Sequence, residues 1–179
     1  MLKKNRTLKL VVAALLAALV CIVTMVIQIP MPHGGYLNLG DAIVITFGCI
    51  FGGWYGVVAS AIGSALADVI SSFVIYAPGT FVIKGAVALI SWLIYKGAIR
   101  NERLRRVVAT TLAEIFMIAG YYLYDALAIG LGFDMALANV PMNILQGVFS
   151  VIAANVIIEI LIRNKHISGF FGELTKKGE

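Results

Sequence analysis

The chain has 179 residues, of which 61% are hydrophobic and 13% charged, with a formal net charge of +5. Such a composition is too apolar for a soluble globular domain and points to an integral membrane protein, whose building unit is a spanning helix of about 20 apolar residues. The basic excess is not a nucleic-acid signature, because thirteen of the fourteen Lys and Arg fall in three clusters between or beyond apolar runs, as topology signals do.

The N-terminus, "MLKKNRTLKLVVAALLAALVC", imitates a signal peptide. Val20 before Cys21 argues against a lipoprotein, and the apolar run continues to Ile29. The first span is therefore expected over 8–29, ending at "PMPHGG". The next apolar block, Asp41 to Ile75, is too long for one helix and divides at "FGGWYG" into spans over 41–52 and 54–75. "YAPGT" breaks the chain before a fourth span, 80–99, and the fifth and sixth follow over 104–131 and 140–162. The expected fold is all-α: one transmembrane domain over 1–179, built as a bundle of six spanning helices. No internal repeat is evident, which weighs against an inverted-repeat carrier.

The basic clusters set the orientation. Lys3, Lys4, Arg6 and Lys9 precede the first span; Lys96, Arg100, Arg103, Arg105 and Arg106 join the fourth to the fifth; Arg163, Lys165, Lys176 and Lys177 follow the sixth. In a six-span bundle all three lie on one side, so both termini are expected in the cytoplasm of a multi-pass cell-membrane protein.

The remaining basic residue, Lys84, lies within the apolar run "TFVIKGAVAL". A charge near mid-bilayer costs about 2.5–3.5 kcal/mol on insertion scales. Asp41, Asp68 and Asp125 fall at comparable depth. Two readings follow: a structural ion pair of Lys84 with Asp68 or Asp41, or contact between Lys84 and a substrate. Tyr121 and Asp125 share a face of the fifth span, beside Tyr122 and Tyr124. Asn139, Asn143 and Gln146, at i, i+4 and i+7, make a polar stripe at the outer end of the sixth. Amides, tyrosines and one or two charges at one level describe a pocket for a small planar, heteroatom-rich ligand.

Deeper in the bundle, Glu159 has Arg163 one turn on as an interfacial partner, whereas Glu114 has no evident role. Cys21 and Cys49 lie in apolar runs as small hydrophobes. Ala13, Ala14, Ala17 and Ala18 form two overlapping AxxxA steps that admit a close helix neighbour. The third span carries small residues on two faces, Gly56, Ser60 and Ser64 on one and Ala59, Gly63 and Ala67 on the other. His33 and His166 fall on opposite sides, and no HExxH, GxSxG, Walker A or metal-ligand spacing occurs. No catalytic residue, metal or cofactor is expected, and any use of ATP requires another chain.

The stretch from Gly35 to Leu93 resembles the substrate-binding S components of energy-coupling factor (ECF) vitamin transporters, in the branch with riboflavin-, pyridoxine- and hydroxymethylpyrimidine-type members. "NLGD" opening the second span, "GSALAD" in the third, "YAPGTFVIKG" leading into the fourth and "NVPMNILQG" in the sixth carry the likeness. It implies a non-enzymatic subunit that captures a vitamin from outside in a pocket capped by the loop after the first helix. It also implies docking onto a transmembrane coupling subunit driven by two cytoplasmic ATPases, with ligand released inside by toppling in the membrane. By that resemblance Ala13, Ala14, Ala17 and Ala18 become the docking face. Tyr36 and Asn38 become lid residues, and Lys84, Tyr121, Asp125, Asn139, Asn143 and Gln146 ligand contacts. The expected ligand is pyridoxine- or hydroxymethylpyrimidine-like, with riboflavin next. The alternatives are a stand-alone proton- or ion-coupled carrier and a small integral membrane enzyme.

Overall fold

The computed structural model describes residues 2–176. Helix α1 (Leu2–Val26) leads into an antiparallel hairpin, β1 (Gln28–Pro30) and β2 (Tyr36–Asn38), with Gln28 opposite Asn38. Then come α2 (Gly40–Ile50), α3 (Gly53–Ile70), α4 (Ala77–Tyr95) and α5 (Glu102–Leu123), which runs into a π-helical turn over Tyr124–Ala128. A short α6 (Phe133–Leu137) precedes α7 (Val140–Arg163), and α8 (Lys165–Lys176) closes the described chain.

Among the described residues, five segments are long and apolar enough to cross a membrane: α1, α3, α4, α5 with its π turn, and α6 with α7. The second expected span is the exception. At 11 residues α2 rises about 16 Å, roughly half of a ~30 Å hydrocarbon core. The Gly52–Gly53 turn ends it: both glycines have positive φ, and a side chain at Gly52 would run into the indole of Trp92. Because α2 is buried along nearly its whole length, neighbouring helices rather than lipid surround it.

The fourth helix begins earlier than the sequence reading placed it. "YAPGT" does not break the chain ahead of the helix: Pro78 occupies the first helical turn, where its missing N–H is no loss. Asn101 caps α5 through its side chain, which accepts from the Leu104 amide, with Glu102 in the first turn.

Val20, Val44, Ile45, Val87, Ala113, Met117, Ala154 and Ile158 form the core shared by α1, α2, α4, α5 and α7. Large apolar side chains such as Leu15, Ile70, Val82, Leu123 and Ile152 point outward, as they do where lipid is the solvent. Small residues set the helix spacings. A Cβ on Gly63 would collide with the Ala17 carbonyl, and one on Gly48 with that of Ala88. Ala13 and Ala17 are therefore half-buried toward α3, while Ala14 and Ala18 lie exposed. The four alanines are two faces, not one open docking strip.

Helix α8, an element the sequence reading did not contain, folds back onto the same end as the start of α1. Leu174 is buried among Leu16, Phe47, Phe51 and Ala59, and Phe171 meets the Phe51 ring edge-on at 6.0 Å.

Candidate functional site

The hairpin lies across the end of the bundle where α2, α4 and α7 begin and α3 and α5 finish. Beneath it is a cavity of about 30 Å³, room for about two waters. Gly34, Gly35, Tyr36 and Asn38 line it from the hairpin, Asp68 from α3, and Tyr76 and Thr80 from the start of α4. Tyr121 and Asp125 line it from α5 and its π turn, and Asn143 and Gln146 from α7. Gly34 and Gly35 adopt positive φ directly over Tyr76; a Cβ on Gly34 would sit 2.9 Å from the tyrosine hydroxyl.

Three polar ties hold the hairpin down. At its base, the Asn38 amide donates to Gln146 Oε1 at 2.7 Å, and Gln146 Nε2 donates to Asp41 Oδ2 at 2.6 Å. The other oxygen of Asp41 receives Lys84 Nζ at 2.5 Å, with both side chains essentially inaccessible to solvent. At its tip, Asn139 Oδ1 accepts from the His33 amide at 3.3 Å, and Asn139 Nδ2 donates to the Gly34 carbonyl at 3.3 Å and to Asp125 Oδ2 at 2.9 Å. A third tie reaches α3: the Tyr36 hydroxyl donates to Asp68 Oδ1 at 2.6 Å, and its ring packs on Phe73 with centroids 4.7 Å apart.

The ion pair is thus resolved in favour of Asp41. Asp68, the other partner weighed for Lys84, is taken by Tyr36 instead. Lys84 does not line the cavity; it lies beneath it, with Nζ 5.1 Å from the centre of the Tyr121 ring. The Tyr121 hydroxyl shares a hydrogen bond of 2.9 Å with Thr80. Asn139 also lies outside the cavity wall, its amide consumed by the hairpin and Asp125. Of the residues expected at the ligand, Tyr36, Asn38, Tyr121, Asp125, Asn143 and Gln146 come together around one space, and Lys84 and Asn139 support it from outside.

Three polar atoms of the cavity-lining residues keep unspent hydrogen-bonding capacity: Asp68 Oδ2, Asp125 Oδ1 and the Tyr76 hydroxyl are buried without a partner. Tyr76 faces Asp125 without reaching hydrogen-bond geometry. Burial, reinforced by the neighbouring carboxylates, pushes the hydroxyls of Tyr36 and Tyr76 well above the usual phenol range. Both stay protonated donors. Tyr76 and Thr80 were absent from the expected set, since tyrosine at a helix start reads as an interfacial anchor and threonine in an apolar run as filler. Their role depends on the hairpin folding back over them.

At the opposite end Arg106 ties α5 to α7. It meets Glu159 Oε2 at 2.7 Å and Glu102 at 3.4 Å, and its Nε donates to Asn155 at 3.0 Å. Arg163 joins Glu159 at 2.7 Å, as the one-turn spacing predicted.

A helical, multi-pass membrane protein with a small cavity under a hairpin at one end, lined by tyrosines, amides and carboxylates, is the class that this fold and site define. The chain belongs to the S components of ECF-type transporters: the model of the family described as "ECF-type riboflavin transporter, S component" matches residues 4–163. That is a family of transporter components in vitamin uptake rather than of enzymes. The chain is also 36% identical over 134 residues to an uncharacterized protein in a gap 3' region from Pyrococcus woesei, covering 74% of this chain and 87% of that one.

Proposed function

We propose that this chain is the substrate-specific subunit of an ECF importer, capturing a small, planar, donor-rich vitamin or vitamin precursor from outside the cell membrane for ATP-driven uptake. The observation that carries the reading is the mismatch of donors and acceptors at the cavity. Two carboxylate oxygens and one tyrosine hydroxyl stand unpartnered there, while the single lysine of this end is neutralised by Asp41. Such a site favours a neutral or cationic ring with amino or hydroxyl donors and disfavours phosphorylated ligands. Pyridoxine and hydroxymethylpyrimidine have that chemistry. Asp68, Tyr76, Thr80, Tyr121, Asp125 and Asn143 are the contacts we assign to it, with Tyr36 and Asn38 on the lid.

The rest of the reading follows the basic clusters. The hairpin end faces outward, both termini are cytoplasmic, and α2 with the hairpin completes a sixth, partly non-helical passage. Ala14 and Ala18 dock on a transmembrane coupling subunit that carries two ATPases. A second reading, riboflavin, is favoured by the family's own description, although a three-ring flavin requires a larger displacement of the hairpin than a single ring.

Mass spectrometry of small molecules extracted from the purified chain tests this directly, followed by calorimetric titration with pyridoxine, hydroxymethylpyrimidine, riboflavin and their phosphates. An unphosphorylated single-ring heteroaromatic binding most tightly is the expected result. Tighter binding of the phosphate esters would overturn the donor–acceptor argument, and uptake in cells lacking the ATPases would overturn the importer reading.

A further inference from the structure

Glu114 takes no part in the site described above. It lies on α5 twelve residues from Glu102 and fourteen from Ala128, within the 27-residue segment that they bound. That is about 18 Å and 21 Å from the two ends at 1.5 Å per residue, near the middle of the membrane. It is 3% exposed, and neither carboxylate oxygen has a hydrogen-bond partner. The glycine at position 147 makes room for it: a Cβ there would sit 3.3 Å from Glu114 Oε2. One turn further along α7, the Ser150 hydroxyl is likewise buried and unpartnered.

The charges that act on Glu114 are Asp41 from α2 and Lys84 from α4. Helix α7 faces it with Gly147, which carries no charge, and Glu159 is spent on Arg106 and Arg163 further along. Within α5 itself, Arg106 is two turns away on Glu159 and Asn155, and Tyr121 is two turns away on Thr80. The local set is therefore two carboxyl groups and one ammonium, one positive charge short of neutrality in a medium that penalises a net charge. A metal cation is poorly served here, since neither Glu114 oxygen has a polar partner and no group of three His, Cys, Asp or Glu side chains that could hold one occurs among the described residues.

We propose that Glu114 is an inner proton-binding site, and that its proton sets how firmly the hairpin is held. With the proton in place, Lys84 belongs wholly to Asp41. Asp41 is then fixed against Gln146, and Gln146 holds the Asn38 amide of the hairpin. When the proton leaves, a second carboxylate competes for Lys84 and the chain of contacts from α4 to the hairpin loosens. The direction is definite: the hairpin is held more tightly on the acidic side of the Glu114 titration and less tightly as pH rises through it. This needs no knowledge of the substrate, so it can fail while the transport reading stands.

Two readouts on the full-length protein in lipid nanodiscs test it. Difference infrared spectroscopy is expected to show the carbonyl stretch of a protonated buried carboxylic acid at neutral pH, lost in Glu114→Gln and kept in Asp68→Asn and Asp125→Asn. Hydrogen exchange at the Asn38 amide, corrected for intrinsic rates, is expected to speed up roughly tenfold as the pH rises and to stay flat in Glu114→Gln. If Glu114→Gln does not fold, Glu114→Asp replaces it: the band is expected to shift in that variant, and an unshifted band would overturn the proposal. A band that survives in Glu114→Gln, a band lost with either aspartate, or the same pH dependence in Glu114→Gln would each overturn the proposal. Exchanging Na+ for choline is expected to change neither readout; a Na+-dependent loss of the band would make the charge a metal ion and overturn the proton assignment.

Discussion

Lys84 illustrates how one side chain acquires its meaning from a single neighbour. Alone in an apolar helix it is an uncompensated charge; beside Asp41 it is half of a neutral pair that also orients Gln146. Breaking a buried pair from one side leaves the other charge stranded and costs about 3–5 kcal/mol, whereas removing both partners is often close to neutral. Lys84→Met is therefore expected to lower the thermal unfolding midpoint in detergent strongly. Lys84→Met combined with Asp41→Asn is expected to recover most of the loss, because asparagine still accepts from Gln146. A single variant as stable as the wild type would show that the pair does not hold these helices. Ligand affinity in the stable double variant then isolates any direct contribution of Lys84 to binding, which the cavity wall, formed without it, argues is small.

Among the elements, what the sequence discloses depends on whether the deciding interaction is local. The long apolar runs disclose five helices because hydropathy is summed within each segment, and the Asn139–Asn143–Gln146 stripe discloses one face of α7 because its period is helical. The hairpin has strands of three residues each, too short to show alternation, and it is held by partners more than 100 positions away. That distance also hid the hydrogen bonds that Asn139 and Gln146 make to the hairpin, which neither local sequence announces. Tyr36 and Asp68 are 32 positions apart, and nothing in either local sequence links them. The alanine face of α1 was legible as small residues but not as two faces, since only the approach of Gly63 shows which side α3 occupies. This division makes a prediction at the scale of the helix. Ala14→Leu with Ala18→Leu is expected to abolish co-purification with the coupling subunit while leaving ligand affinity and thermal stability within about twofold and about 0.5 kcal/mol of wild type. By contrast, Ala17→Leu presses on α3 and is expected to destabilise the bundle by about 1–3 kcal/mol. Equal effects of the two changes on stability would mean that α1 has no free face.

For the whole molecule the controlling fact is that the cavity and its cover are built from different ends of the sequence. The hairpin follows α1, while the groups that hold it lie on α3, α7 and the end of α5. A space of about 30 Å³ admits about two waters and no aromatic ring, so on the proposed reading an aromatic ligand needs the hairpin to lift. Opening must break the Asn139 tie at the tip, the Gln146 tie at the base and the Tyr36–Asp68 tie to α3, while Asn139 keeps Asp125 and Gln146 keeps Asp41. Ligand capture is then gated: the observed association rate is expected to level off at high ligand concentration, at the opening rate of the hairpin. Asn139→Ala removes the tip tie while sparing the Lys84–Asp41–Gln146 chain beneath. At about 1–2 kcal/mol for the lost contacts, the plateau rate and the dissociation rate are each expected to rise roughly 5- to 30-fold. Stopped-flow mixing with the vitamin extracted from the purified chain measures both. A rate that climbs linearly with concentration in the wild type, without a plateau, would mean that the hairpin does not gate entry and that the ligand reaches the cavity by another opening of the bundle.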